Sequence, residues 1–202
     1  MTPRSYDMTN RARTREETRR RIVEATARLH AEHGVLGTSW KQIAEGADVS
    51  VATVYAHFPS LDELLPACGS LVMERVQPPS LESAAAVIGD GGDLEDRLGR
   101  AARELFAFYE RGGPYIEVDV RERQLPEMQG WEKHMLDLVA AFVREALAER
   151  AAPKQTFASV CALMDLATFK AFRARGVAPQ TAAGITARLA ATLVDHKKRR
   201  KR

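Results

Sequence analysis

The stretch that decides the fold is GVLGTSWKQIAEGADVSVATVYAHF, which runs from Gly34 to Phe58. Ser39 and Ser50 are good N-cap residues in front of two short segments with helical spacing of their apolar residues. Two short helices can cross sharply only where a small residue faces the partner helix and a permissive residue forms the turn. Ala44 and Asp48 occupy those two positions. The sequence therefore predicts a helix-turn-helix.

The second helix of this motif is predicted to present one face outward, where it can be read against DNA bases. The predicted contacts between the two helices are Ile43, Ala47, Val49 and Val54, and the predicted outward residues are Val51, Ala52 and Thr53. The run from Gly34 to Phe58 closely resembles the DNA-binding domain of the TetR family of one-component bacterial regulators, and the match covers residues 15–70. The resemblance implies a homodimer, usually a repressor, that releases a palindromic double-stranded DNA operator when a small molecule enters the C-terminal domain.

The resemblance also implies DNA contacts at matching positions, with Tyr55 the clearest because the family's V-Y-x-H-F register is intact. The predicted contacts are Ser39, Trp40, Lys41, Ser50, Val51, Ala52, Thr53, Tyr55 and His57. Val51 and Ala52 offer only apolar contact to a thymine methyl group. For Trp40, packing against the first helix is an equal alternative. The chain departs from the family pattern at Asp48, where Gly is usual, and at Leu61, where Lys is frequent.

The charges of the chain are segregated along its length. Residues 1–30 contain eight arginines and four acidic residues, residues 31–150 contain eleven basic and 21 acidic residues, and residues 151–202 contain eleven basic and two acidic residues. The net charges are +4, −10 and +9, so the two ends attract a polyanion and the middle repels one. The arginines expected to contact the DNA backbone or minor groove are Arg11, Arg13 and Arg15, with Arg19 to Arg21 behind them. A solvated, charged start of the first helix remains the alternative.

The helical spacing of apolar residues continues through the rest of the chain, and no strand-rich region is visible. We expect an all-α fold of about nine helices. The predicted divisions are a flexible basic arm over residues 1–14, a helix-turn-helix domain over 15–62, a helical effector-binding and dimerisation domain over 63–196, and a basic tail over 197–202. The last two helices are predicted at about 153–174 and 179–196.

The C-terminal domain offers two further candidate sites, and for both the alternative is an ordinary core. Aromatic and Met side chains gather around the glycines at 112 and 113, where a cavity can open. The candidate effector residues are Met73, Phe106, Tyr109, Tyr115, Trp131, Met135 and Phe172. The last two helices carry more apolar surface than one bundle needs, which predicts a four-helix dimer seam. Its candidate residues are Val160, Met164, Ala167, Ile185, Leu189 and Leu193.

Composition and motifs weigh against other classes of protein. The longest apolar runs fall far short of a membrane span, and no apolar stretch follows the basic N-terminus, so we expect a cytoplasmic protein without membrane contact. Cys68 and Cys161 are expected to be core residues. No catalytic motif, cofactor motif or metal-ligand set is evident, and we expect no enzyme. One alternative stays open: a helical small-molecule or partner-binding protein whose DNA binding is lost or secondary.

Overall fold

A computed structural model describes residues 8–148, 150 and 152–199, with side chains described from residue 11 to residue 195 within those ranges. These residues form ten α-helices and two short 3-10 helices, without a strand among them. The predicted all-α fold is confirmed. The chain divides, as far as it is described, into two compact units: Met1–Arg75 with Pro114–Met128, and Val76–Gly113 with Gln129–Arg202.

The helices follow one another without large irregular segments. The first four are α1 (Met8–His33), α2 (Trp40–Gly46), α3 (Val51–His57) and α4 (Leu61–Val76). They are followed by α5 (Ser83–Ile88), α6 (Leu94–Gly112), the 3-10 helices Gly113–Ile116 and Val120–Glu122, α7 (Pro126–Leu147), α8 (Lys154–Leu163), α9 (Leu166–Arg173) and α10 (Pro179–Arg199). None of the described helices is both long enough and apolar enough to span a membrane.

The core of the first unit lies where α1, α2, α3 and α4 meet. It consists of Ile22, Val23, Ala25, Ile43, Ala44, Ala47, Val54, Phe58 and Leu64. Ala44 is buried at the crossing of α2 and α3, as the sequence predicts. The small side chain lets the two helix backbones approach, because a larger one would hold them apart.

The turn between α2 and α3 is closed by backbone hydrogen bonds. Asp48 has φ +54°, in the left-handed region, and the Val49 N–H donates to the Ala44 carbonyl at 3.0 Å. This is the bond pattern of a helix that ends in a left-handed residue. Asp adopts that conformation more readily than most non-glycine residues, which explains how the chain forms the turn without the usual glycine.

The first helix begins earlier than predicted. α1 starts at Met8, so residues 8–14 are helical and not the flexible arm expected from their lack of apolar periodicity. Arg20 donates to Glu17 at 2.8 Å and to Glu24 at 2.9 Å. Pairs of this spacing support a helix that is polar on all sides. Residues 1–7 of the predicted arm lie outside the described residues.

In the second unit, α6 and α10 pack along one another. α6 buries the residues that the sequence places on one face, among them Leu98, Leu105 and Phe108. α10 contributes small side chains, and an added Cβ at Gly99 would lie 3.8 Å from the Cβ of Ala187. Small residues on both helices thus permit a close helix–helix contact.

Several candidate residues of the C-terminal domain belong to this core. Val160 and Met164 are fully buried, which corrects their placement in a dimer seam, because a side chain enclosed by its own subunit has no surface to offer a partner. Phe106 and Tyr109 are also buried, and the Tyr109 hydroxyl donates to the Met164 carbonyl at 3.1 Å.

The C-terminal helices differ from the prediction in two places. The helix expected at 153–174 is two helices, because Asp165 caps α9 by accepting from the Leu166 N–H at 2.6 Å. α10 continues to Arg199, so residues 197–199 of the predicted tail are helical, and residues 200–202 lie outside the described residues. Residues 114–124 form most of the two 3-10 helices.

The left-handed turn makes a prediction about stability. Asp48→Val should lower the free energy of unfolding by about 1–2 kcal/mol, because a β-branched residue adopts a left-handed backbone poorly. Asp48→Gly should stay within about 1 kcal/mol of the unmodified protein, since glycine accepts the conformation but gains entropy on unfolding. Urea denaturation followed by circular dichroism measures both. Equal stability of the Val and Gly variants would contradict this account of the turn.

Candidate nucleic-acid interface

The candidate interface is the exposed face of α2 and α3. Each of these helices starts at a serine N-cap whose side chain accepts a backbone hydrogen bond. The Ser39 side chain accepts from the Gln42 N–H at 3.3 Å, and the Gln42 Oε1 accepts from the Ser39 N–H at 2.8 Å. The Ser50 hydroxyl accepts from the Thr53 N–H at 3.0 Å. These bonds satisfy donors that a helix start otherwise leaves open. The two serines therefore fix the starts of both helices.

The orientation of α3 follows from which of its residues are buried. Val54 is completely buried, whereas Val51, Ala52 and Tyr55 are exposed. Thr53 and His57 are half-buried. The helix therefore turns its predicted base-reading residues to solvent while Val54 anchors it to the core.

Trp40 and Tyr55 form a stacked aromatic pair on this face. Their ring centroids are 4.7 Å apart with 28° between the planes. Trp40 is half-buried and packs against the core of the first unit, while Tyr55 is 44% exposed. Stacking of this kind fixes ring orientation. Trp40 thus holds the Tyr55 ring in place, and the packing alternative considered for Trp40 describes its observed contacts.

Lys41 and Arg19 are two basic side chains of the first unit. Lys41 projects into solvent from α2, with its Nζ 3.8 Å from the Glu45 carboxylate. The Arg19 guanidinium lies 4.1 Å above the Phe58 ring, and its Nη1 donates to the His57 carbonyl at 3.4 Å. Arg19 therefore ties α1 to the end of α3. This role could not be predicted from local sequence, because it depends on the crossing of the two helices.

The charge state of His57 follows from its surroundings. Burial lowers the pKa of the imidazole, and the positive charges of Arg15 and Arg19 lower it further, against a smaller opposite effect of Glu16. A lowered pKa keeps His57 neutral at neutral pH, so it can donate or accept one hydrogen bond there without adding charge.

The structure separates the predicted effector residues. Met73 and Tyr115 belong to the first unit, and Phe106, Tyr109, Trp131, Met135 and Phe172 belong to the second. The Phe106, Tyr109 and Phe169 rings form a cluster with centroids 5.2–6.0 Å apart. Trp131 stacks on His134 with centroids 5.6 Å apart. Trp131, Met135 and Phe172 are half-buried.

Two titratable groups outside the interface, His30 and Cys68, are buried side by side. Burial lowers the pKa of His30 to about 4 and raises the pKa of the Cys68 thiol to about 11. The Cys68 Sγ lies 3.9 Å from the His30 Nδ1. Across the described residues, no three His, Cys, Asp or Glu side chains come together as a metal site would require.

One buried carboxylate was not foreseen. Glu122 is 3% exposed, and its Oε1 accepts from the Leu36 N–H at 2.9 Å in the turn between α1 and α2. An added Cβ at Gly34 would lie 2.5 Å from the same oxygen. Glycine at this position thus makes room for the carboxylate. A glutamate in a short 3-10 helix carries no sequence signal of such a contact.

Comparisons with known proteins agree with this geometry. Residues 22–68 match the family described as bacterial regulatory proteins, tetR family. The HTH-type transcriptional repressor KstR of Mycolicibacterium smegmatis is 34% identical over 82 residues, which are 41% of this chain and 38% of that protein. KstR of Rhodococcus jostii is 38% identical over 61 residues, which are 30% of this chain and 29% of that protein. The matched part thus spans well under two thirds of either relative.

The likeness to solved structures extends along most of the chain. A TetR-like transcriptional regulator from Rhodococcus sp. RHA1 has a TM-score of 0.59 at 20% identity, covering 87% of this chain and 94% of that one. At this identity the likeness shows the fold, while the sequence matches are confined to less than half of the chain. Taken together, the motif and its relatives identify residues 22–68 as a DNA-binding domain of the TetR family of bacterial regulatory proteins, and the all-helical fold of the chain is that of a TetR-like regulator.

Proposed function

We propose that this chain is a homodimeric transcriptional repressor that binds a palindromic operator and is released from it by a small, largely apolar effector. The observation that carries the proposal is the exposed face of α3. Val51 and Tyr55 on this face are exposed to solvent although their side chains are largely apolar. A helix held by a closed turn with such a face is suited to the major groove of DNA.

The side chains of the interface fall into two chemical groups. Tyr55, Lys41 and His57 offer hydrogen-bond donors of the kind that contact phosphates, and Thr53 offers a hydroxyl to a phosphate or a base edge. Val51 and Ala52 fit a thymine methyl group. The Ser39 and Ser50 hydroxyls already accept hydrogen bonds from backbone N–H groups as N-caps. Any contact of these hydroxyls with DNA is made in addition to those bonds. Few direct base contacts result, and DNA shape must contribute to the choice of operator.

The operator makes the first test of the proposal. In vitro selection from random duplexes should enrich an inverted repeat whose half-sites lie about 10 base pairs apart, or somewhat more, because two copies of α3 must enter the major groove on one side of the helix. Sequencing of the selected pool measures this. Selected sites without an inverted repeat would contradict a dimeric repressor. Failure to enrich any sequence would favour a ligand-binding or partner-binding protein without operator recognition.

The proposed dimer face is the exposed side of α10. Ile185, Leu189 and Leu193 are spaced by four residues and are 37%, 48% and 41% exposed, so they form one apolar stripe along the helix. Ala167 on α9 is exposed as well. Two helices from each subunit, packed through such stripes, form a four-helix interface in a two-fold dimer.

Replacing the central leucine of the stripe tests this face. Leu189→Arg should convert the dimer to a monomer in sedimentation velocity, because two arginines would be buried near the two-fold axis without partners. Leu136→Arg on α7 is the matched control, since Leu136 is a still more exposed leucine, at 62%, outside the stripe. The control should remain dimeric. A dimeric Leu189→Arg variant would place the interface elsewhere.

The proposed effector site lies in the second unit. Its half-buried Trp131, Met135 and Phe172 combine apolar surface with access, whereas Phe106 and Tyr109 are enclosed in the core. Apolar walls with a few polar groups are typical of small-molecule sites. If the effector and the operator stabilise different conformations of the subunit, each lowers the affinity of the protein for the other. Thermodynamic linkage makes the factor the same for both affinities.

This reciprocity gives the test for the effector. Small apolar compounds that raise the melting temperature should bind more weakly in the presence of the selected operator than in its absence, as measured by titration calorimetry. Trp131→Ala should reduce the affinity for these compounds without changing the selected operator sequence. A compound that is bound equally well with and without operator is not an inducer. If every compound found in the screen behaved in this way, effector release would be contradicted.

A further inference from the structure

The second unit contains two buried threonine hydroxyls on helices that pack on each other. Among the described residues, the buried side-chain oxygens without a hydrogen-bond partner are Oγ1 of Thr156 on α8 and Oγ1 of Thr186 on α10, and these threonines are 4% and 0% exposed. We propose that the Thr186 hydroxyl binds the polar group of the effector, which is then an apolar molecule with one hydroxyl or carbonyl group. The proposal rests on the proposed function and adds to it the chemical class of the ligand.

A helical threonine does not need a ligand to satisfy its hydroxyl, because the hydroxyl can donate to the carbonyl four residues earlier. The buried Thr26 on α1 makes such a bond at 2.8 Å, and Thr192 on α10 makes one at 2.8 Å as well. Thr186 has the same option toward the Ala182 carbonyl, but its hydroxyl does not make this bond within the described part of the chain. A buried hydroxyl in this state keeps the cost of its lost hydration, so it gains from any group that can pair with it.

The inward face of α10 around Thr186 consists of small apolar residues. Ala182, Ala183, Ala187 and Ala190 are all buried on this face. A buried water molecule needs about two to four polar partners, which alanine side chains do not provide. A ligand with an apolar body can contact the alanines and bring a single polar atom to the hydroxyl. The composition of the face therefore favours an organic ligand over a buried water molecule.

The same small residues allow α10 to separate from its neighbours at low cost. A buried alanine removes less apolar surface from water than a larger aliphatic residue does, so less is lost when it is uncovered. Both α8 and α9 pack on α10, Thr156 lies in the first turn of α8, and Phe172 of the proposed effector site is on α9. A ligand that inserts beside α10 therefore stabilises a conformation in which these helices are further apart.

Matched compounds with and without a polar group test the role of the hydroxyl. Naphthol with naphthalene, and cyclododecanone with cyclododecane, would be titrated with the unmodified chain, Thr186→Val and Thr186→Ser. The polar member of a pair should bind the unmodified chain more tightly than the hydrocarbon. Thr186→Val keeps the shape of the side chain without the hydroxyl, and it should weaken the polar member about fivefold, the net effect of one hydrogen bond, while the hydrocarbon binds as before. Thr186→Ser should restore the preference.

Thr192→Val is the matched control for binding. It makes the same substitution on the same helix, at an exposed threonine whose hydroxyl already donates to a backbone carbonyl. The ratio of the two dissociation constants should equal that of the unmodified chain.

The melting temperature without ligand gives a second readout. Thr186→Val should keep or raise it, because no hydrogen bond is lost, whereas Thr26→Val should lower it, because a buried bond is lost. A lower melting temperature in Thr186→Val than in the unmodified chain would show that the hydroxyl has a partner within the protein, and the proposal would fail.

The outcomes separate this proposal from the proposed function. An unchanged ratio of dissociation constants in Thr186→Val, or an equal loss for both members of a pair, would overturn the role of Thr186. Failure of all four compounds to bind would reject ligands of this class. The proposed function would survive each of these results if other compounds still bound more weakly in the presence of operator. If no compound did so, effector release itself would be contradicted.

Discussion

The burial of Phe58 is the contact on which the candidate interface depends. Its ring is completely enclosed at the end of α3, in one cluster with Ile22 and Leu64, and the Arg19 guanidinium covers it from α1. A helix of seven residues is too short to be stable by itself. The position of Tyr55 and Val51 within the first unit therefore depends on the tertiary packing of Phe58 and Val54.

The distribution of charge acts on a longer scale than these contacts. The region from residue 31 to residue 150 carries a net charge of −10 and repels a polyanion, whereas residues 1–30 carry +4 and residues 151–202 carry +9, so attraction to a polyanion is confined to the two ends of the chain. Such segregation orients a protein before contact is made. Leu61 stands where a lysine is frequent in the family, and Arg19 of α1 places a cationic side chain beside the end of α3.

The sequence predicted the features that short-range chemistry determines. Ala44, Asp48 and the caps at Ser39 and Ser50 could be assigned because a small residue, a left-handed residue and a hydroxyl each have few uses at those spacings. The same reasoning failed where an apolar pattern fits either a dimer interface or the core of one subunit. The sequence favours a dimer seam for Val160 and Met164, with an ordinary core as the alternative, and the structure shows that both are enclosed. The helical start at Met8 was missed because a helix that is polar on every side has no periodicity to detect.

Glu122 shows a constraint that no local pattern expresses. Residues 114–128 lie between α6 and most of α7 in the sequence, yet they belong to the compact unit of the helix-turn-helix. The Glu122 carboxylate is held there by the Leu36 N–H, beside a glycine that leaves space for it. A buried carboxylate that loses such a bond keeps its desolvation cost. Breaking the bond between Glu122 and Leu36 while Glu122 stays buried is therefore unfavourable. Within the first unit, the bond between Glu122 and Leu36 therefore holds residues 114–128 against the turn that precedes α2.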